Sequence, residues 1–183
     1  MQNVGKKFEQ DFIKSAPESI GVLRIPDAAQ SFYRSSNLRF SRKNPFDFIL
    51  WNPNTLTLYA LELKTVNGKS ISFERTKEEH GEIHYHQIIS LENFDNIGEC
   101  VCGFIIEFRE LEITIFLPIT EFLKMQSQIQ KKSFNYNDLA NSDIDYIVIT
   151  QKKLKTHYRY DIEHFLEETA LHKCGMEVNQ NEV

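Results

Sequence analysis

The middle of the chain contains two apolar runs that are separated by four turn-forming residues. The runs cover residues 45–51 and 56–65, and both are rich in aromatic and branched side chains. With the turn Asn-Pro-Asn-Thr at 52–55 between them, they predict a β-hairpin. Three charged residues interrupt the apolar pattern, namely Asp47, Glu62 and Lys64.

The faces of this hairpin follow from the alternation of side chains along a strand. If Trp51 lies opposite Leu56, then Asp47, Glu62 and Lys64 share one face. Asp47 and Glu62 are then diagonal neighbours with Cβ atoms roughly 7–8 Å apart. A register slip of one residue would move Asp47 to the opposite face. The hairpin therefore predicts a pair of carboxylates with a lysine beside them.

Periodicity along the rest of the chain predicts an α/β fold in one domain. The run at 101–108 is almost continuously apolar, which favours a central strand of the sheet. We expect a mixed central sheet flanked by helices. Helices are predicted at 4–15, 76–94, 118–129 and from 162, and further strands at 20–25, 70–73, 112–117, 144–149 and 158–160.

Length and composition agree with a soluble globular domain. A chain of 183 residues buries roughly 70% of its unfolded surface, and no apolar run approaches the length of a membrane span. The first seven residues lack the apolar core of a signal peptide, so we expect a cytoplasmic protein without membrane contact. Three cysteines, Cys100, Cys102 and Cys174, are then expected to be free thiols.

The charge distribution suggests a local basic surface. The net charge of −5 argues against a protein that coats nucleic acid generically. Residues 28–46 nevertheless contain no acidic residue, and aromatic side chains alternate with the basic ones. Such a segment can follow a phosphate backbone, although a solvated loop with scattered charge is the alternative. The candidate DNA-binding residues are Arg34, Arg39, Arg42 and Lys43.

The charged residues of the hairpin suit metal-dependent phosphodiester chemistry. Carboxylate oxygens are ligands that Mg²⁺ prefers. A lysine two residues beyond a ligand, on the same face, can orient water or stabilise charge on a phosphate. The alternative is a solvated cross-strand set of charges without a function in binding.

The motif resembles that of the PD-(D/E)XK nuclease superfamily, because Pro45-Phe46-Asp47 is followed by Glu62-Leu63-Lys64. The resemblance implies a restriction-endonuclease-like fold, with a nuclease domain at 1–170 and a polar tail at 171–183. The wider pattern is similar to one branch, the RecU-type Holliday junction resolvases. That pattern includes Lys7-Phe8-Glu9, Ser72-Phe73, His86-Gln87-Ile88, Gly103-Phe104-Ile105-Ile106 and Ile144-Asp145-Tyr146.

The resemblance also implies roles for single residues. Asp47, Glu62 and the backbone carbonyl of Leu63 would hold Mg²⁺, for which Mn²⁺ is expected to substitute. Lys64 would position water, and Glu9 and Gln87 would complete the catalytic group. The substrate would be branched DNA, the four-way junction above all, and the enzyme a homodimer with two-fold symmetry.

Two further interpretations remain open at this point. The chain can be another nuclease of the same superfamily, restriction-like or acting on flaps and nicks, or a non-catalytic DNA-binding protein on the same fold. The segment 27–43 is shorter than the stalk of RecU-type enzymes, and a phage or prophage version would suit the small size. His80 and His84 have a spacing that can bind zinc on a helix, but a third ligand is lacking.

Overall fold

The protein has a mixed α/β fold built on a six-stranded sheet. The structure, a computed structural model, describes residues 3–26 and 43–180, with side chains up to residue 172. The strands are β1 (Gly21–Arg24), β2 (Phe48–Asn52), β3 (Thr57–Val66), β4 (Ile71–Ser72), β5 (Cys100–Phe108), β6 (Ile113–Pro118), β7 (Ser133–Phe134), β8 (Ile147–Ile149), β9 (Gln151–Lys153) and β10 (Tyr158–Tyr160). The main sheet has the order β1-β2-β3-β5-β6-β8, in which β3 and β5 are parallel and the other neighbours are antiparallel.

Helices cover both faces of this sheet. They are α1 (Val4–Ser15), α2 (Tyr85–Asp95), α3 (Ile119–Gln128), α4 (Tyr136–Ala140) and α5 (Ile162–Gln180). Apolar residues of α1 and α5 pack on one face, and those of α2 and α3 pack on the other. The expected sheet flanked by helices in a single domain is therefore confirmed. Helix α5 includes residue 170, the predicted boundary between the nuclease domain and the polar tail.

The hairpin forms with a register that differs from the predicted one. Asn52 lies opposite Thr57, so the predicted pairing of Trp51 with Leu56 is wrong. The Asn52 side chain accepts a hydrogen bond from the backbone N–H of Asn54 at 3.0 Å, which starts the turn one residue later. The change in register is two residues, and side chains have a period of two along a strand. The side chains of the paired residues, 48–52 and 57–61, consequently remain on their predicted faces.

Helix α2 begins nine residues later than the pattern predicted. The residues before Tyr85 form a loop instead of helical turns. In this loop Ile83 forms an isolated parallel bridge with Phe73. Gly81 permits this close approach, because a Cβ atom there would lie 2.8 Å from the carbonyl carbon of Phe73. The loop thus follows the backbone of a neighbouring strand instead of continuing the helix.

No helix in the part of the chain that the structure describes is long and apolar enough to cross a membrane.

Candidate active site

Asp47 lies directly before β2, where the regular pairing with β3 ends. Its backbone N–H donates to the carbonyl of Leu61 at 3.1 Å, and its carboxylate accepts the backbone N–H of Leu63 at 2.9 Å. The side chain therefore takes the place of a ladder hydrogen bond at the end of the hairpin. This explains how an aspartate is fixed within an otherwise apolar run.

Glu62 is the centre of the candidate site. Its side chain is only 3% exposed, and its Oε1 atom is 3.1 Å from the Nζ of Lys64. The same Oε1 accepts a hydrogen bond from Nε2 of Gln87, which helix α2 brings over the sheet. The sequence-predicted residues Glu62, Lys64 and Gln87 are thus in direct contact, and the Asp47 carboxylate binds the backbone N–H of Leu63, the residue between Glu62 and Lys64.

Burial and neighbouring charges shift the pKa values of the two carboxyl groups. Burial raises the pKa of Glu62 to about 8; the charge of Asp47 acts in the same direction, and Lys64 opposes it. Burial also raises the pKa of Asp47, against the hydrogen bond from Leu63. Two neighbouring carboxyl groups with raised pKa values are well suited to share a divalent cation. The positive charge of the cation favours the ionised form of each group and so lowers its pKa again.

The oxygen atoms at this point fit Mg²⁺ better than a softer metal. Asp47 and Glu62 offer carboxylate oxygens, and the contact of the Leu63 N–H with Asp47 brings the backbone of Leu63 to the same place. Among the described residues there is no group of three or more His, Cys, Asp or Glu that could hold a metal ion. Two carboxylates and one carbonyl are fewer donors than the six that Mg²⁺ takes, so Mg²⁺ held by them would keep several water ligands.

Glu9 reaches the edge of the site from helix α1. Its carboxylate forms an ion pair with Nε of Arg24 at 2.8 Å, and the side chain is 18% exposed. Its charge contributes to the raised pKa of Asp47, and Arg24 acts against this increase. The structure thus brings Glu9 near Asp47, in the company of an arginine that sequence reasoning missed. Arg24 interrupts a short apolar strand, which is the same signal that singled out Asp47.

Glu74 is a second residue that the sequence argument did not find. It is buried and accepts hydrogen bonds from the backbone N–H groups of Gly81 at 3.2 Å and Tyr85 at 2.7 Å. Nδ1 of His84 is 2.8 Å from its Oε1 atom. Burial alone would raise the pKa of Glu74, but hydrogen bonds from His84, Tyr85 and Gly81 outweigh it and lower the pKa to about 2. No periodic pattern marks an acid that is held by a loop.

The other candidate residues have different outcomes. Lys43 is exposed, and it is close enough to His86 for its charge to lower the pKa of that histidine. His80 lies in the loop before α2 and His84 is its N-cap, so the helical zinc spacing does not exist. The remaining basic candidates, Arg34, Arg39 and Arg42, lie outside the described residues.

The thiols of β5 lie side by side on one face, as strand alternation predicts. Cys100 and Cys102 are not joined by a disulfide, and their sulfur atoms are 3.4 Å apart. The side chain of Cys174 lies outside the described part of the chain.

Comparisons with known proteins add a likeness of fold. No protein-family model matches the chain, and no curated protein matches its sequence. Among solved structures, the chain is similar to Hjc, a Holliday junction resolvase from the archaeal hyperthermophile Archaeoglobus fulgidus. The two share 15% sequence identity with a TM-score of 0.45, over 73% of this chain and 90% of that chain. Similarity at this level does not identify an activity.

Proposed function

We propose that the protein is a Mg²⁺-dependent, structure-selective DNA endonuclease that resolves Holliday junctions. The observation that carries this proposal is the contact group of Glu62, Lys64 and Gln87, with the Asp47 carboxylate bound to the backbone N–H of Leu63 beside it. This group combines carboxylate oxygens, which are hard metal ligands, with the ammonium group of Lys64 at a fixed position. Metal-dependent hydrolysis of a phosphodiester uses both.

The site residues divide the work between metal binding and charge stabilisation. Asp47, Glu62 and the Leu63 carbonyl would hold the cation, which supplies polarisation of the phosphodiester and acidification of water. Gln87 keeps the Glu62 carboxylate in place, since it donates directly to Oε1. Lys64 is held 3.1 Å from the same oxygen, so its ammonium is available to orient water or to stabilise negative charge on the phosphate.

The raised pKa values of Glu62 and Asp47 make metal binding at this site dependent on pH. Glu62, with a pKa of about 8, is largely protonated at neutral pH when no cation is present. Because a carboxyl group must lose its proton to become a ligand, binding of Mg²⁺ should release protons and become tighter as the pH rises. Lys64 supports the ionised form, since its charge lowers the pKa of Glu62.

A resolvase cuts two strands symmetrically, so the proposal includes a homodimer with two-fold symmetry and branched DNA as its substrate. The same site would also serve a restriction-like or flap-cutting nuclease. Initial rates on a four-way junction, a flap and a plain duplex separate these activities, and equal rates on all three would reject the resolvase.

The decisive experiment compares junction cleavage in Mg²⁺ and in chelator, with Glu62→Ala as the matched variant. We expect cleavage by the wild-type protein in Mg²⁺ only, and none by Glu62→Ala, which should still fold and bind the junction. A wild-type protein that binds branched DNA without cutting it in Mg²⁺ would instead be a non-catalytic DNA-binding protein.

A further inference from the structure

Two histidines stack on each other at the beginning of helix α2. The ring centroids of His84 and His86 are 5.5 Å apart, and the ring planes differ by 20°. The side chain of His84 is 45% exposed, so the pair is accessible to a ligand. Neither ring takes part in holding the proposed cation. The proposed chemistry therefore does not explain the function of the stacked pair.

Glu74 fixes the chemistry of the first ring. With a pKa of about 2, its carboxylate is ionised at neutral pH and can only accept hydrogen bonds. Nδ1 of His84, 2.8 Å away, must therefore carry a proton. Nε2 is the nitrogen that remains for another partner, and an imidazolium ring donates from both nitrogens, so Nε2 can donate to an oxygen of a phosphate.

Gln87 connects the histidine pair to Glu62 through its side-chain amide. The backbone N–H of His84 donates to Oε1 of Gln87 at 2.9 Å, and Nε2 of the same amide donates to Glu62. His86 is the residue directly before Gln87. The start of helix α2, which carries both rings, is thus held at a fixed position relative to Glu62.

The surroundings of His86 favour an anion. Burial lowers the pKa of His86, and Lys43, His84 and Lys64 act in the same direction, while Glu74 acts against them. Lys43 before β2 and Lys64 on β3 therefore both lie near the ring, and an anion placed there would be attracted by each ammonium group.

We propose that His84 and His86 together bind a backbone phosphate of DNA next to the phosphodiester at Asp47 and Glu62. This inference rests on the proposed function and names how the same site holds its substrate. The contact fixes the register of the DNA strand relative to the carboxylates, because His84 is itself held in place. Glu74 contacts its ring, and Gln87 accepts a hydrogen bond from its backbone N–H. Phosphate contacts of this kind position a nucleic acid without reading its sequence.

The test uses His84→Asn, His86→Gln and the double variant of the full chain, with His80→Gln as control. Asparagine is a favourable N-cap, so His84→Asn should keep the start of α2 intact. His80 is an exposed histidine in the preceding loop and has no part in the stack. Thermal unfolding of all four proteins verifies that they fold.

Binding of a short labelled DNA duplex is measured in chelator, where no cleavage takes place. We expect the double variant to bind at least about tenfold more weakly than the wild type, because hydrogen bonds to a charged group are lost. The control should bind as the wild type does. Equal affinity of the folded double variant and the wild type would overturn the proposal.

A second measurement follows the imidazole resonances of His84 and His86 during titration with inorganic phosphate and with the duplex. Shifts with both show a general phosphate site, shifts with the duplex alone show a site for the DNA backbone, and shifts with neither reject the inference. A wild-type protein that shows these shifts but never cleaves DNA in Mg²⁺ would refute the nuclease while leaving the phosphate site in place.

Discussion

Gln87 uses both ends of its amide to join helix α2 to the buried carboxyl group of Glu62. Nε2 donates to Oε1 of Glu62, and Oε1 of Gln87 accepts the backbone N–H of His84 at 2.9 Å. A backbone N–H can only donate, so it determines which end of the amide faces Glu62. Gln87 therefore holds the carboxyl group of Glu62 in place, and we propose that it acts as a positioning residue.

Replacing Gln87 tests this role. Gln87→Ala removes the hydrogen bond to Glu62, and we expect Mg²⁺-dependent cleavage to fall by about 10–100-fold, the usual cost of losing a partner behind a metal ligand. Single-turnover cleavage over a range of Mg²⁺ concentrations measures the change, which should include a higher Mg²⁺ requirement. Gln128→Ala, on the exposed end of α3, is the control. An unchanged Mg²⁺ dependence in Gln87→Ala would contradict the positioning role.

Lys64 should affect the chemical step more than DNA binding. Lys64→Ala removes the ammonium held beside Glu62, and we expect a loss of about 10²–10³ in the cleavage rate. Lys64→Arg should not restore the rate, because the guanidinium has a different shape and geometry of donors. Single-turnover rates and duplex affinity in chelator separate the two effects. Lys69→Ala, an exposed lysine after β3, is the control, and a similar loss in that variant would argue against a specific role of Lys64.

Glu74 makes the stability of the protein depend on acidity. Its pKa in the folded state, about 2, is lower than the ordinary value of 4.5, so its stabilising contribution is complete above about pH 4.5 and is lost as the pH falls towards 2. Glu74→Gln should reduce the free energy of unfolding at pH 7 by about 1–3 kcal/mol. Urea unfolding at several pH values should show the difference from wild type shrinking in acid. Glu78→Gln, exposed in the same loop, should show no such trend.

Gly103 is required for the approach of β5 to β6. A Cβ atom at this position would lie 2.7 Å from Cε2 of Phe116 and would also meet the carbonyl oxygen of Leu117. Since the carbonyl belongs to the backbone, the strand itself would have to move. Gly103→Ala should therefore destabilise the protein by about 1–3 kcal/mol or more in urea unfolding. A Cβ at Gly68 would have no neighbour within 4 Å, so Gly68→Ala should leave stability nearly unchanged. Equal effects of the two substitutions would contradict this packing argument.

The sequence by itself determined which charged residues of the hairpin share a face. Glu62 and Lys64 share one face of β3, and the paired residues keep their predicted faces although the predicted turn started one residue too early. The reason is that the register changed by an even number of residues, and strand side chains alternate with a period of two. The apolar run of β5 likewise identified a central strand, because both of its faces are covered.

Only the tertiary structure decided which residues surround that face. Gln87 contacts Glu62 from a helix 25 positions away in the chain, and the ion pair of Glu9 with Arg24 spans 15 positions. Glu74 accepts hydrogen bonds from the loop before α2, and this loop occupies positions that were predicted as helix. No local pattern of apolar residues encodes these hydrogen bonds. Periodicity reports the faces of single elements, whereas these contacts depend on how separate elements pack against each other. The sequence thus placed the carboxylates, and the packing of helix α2 and its loop supplied the groups that hold them.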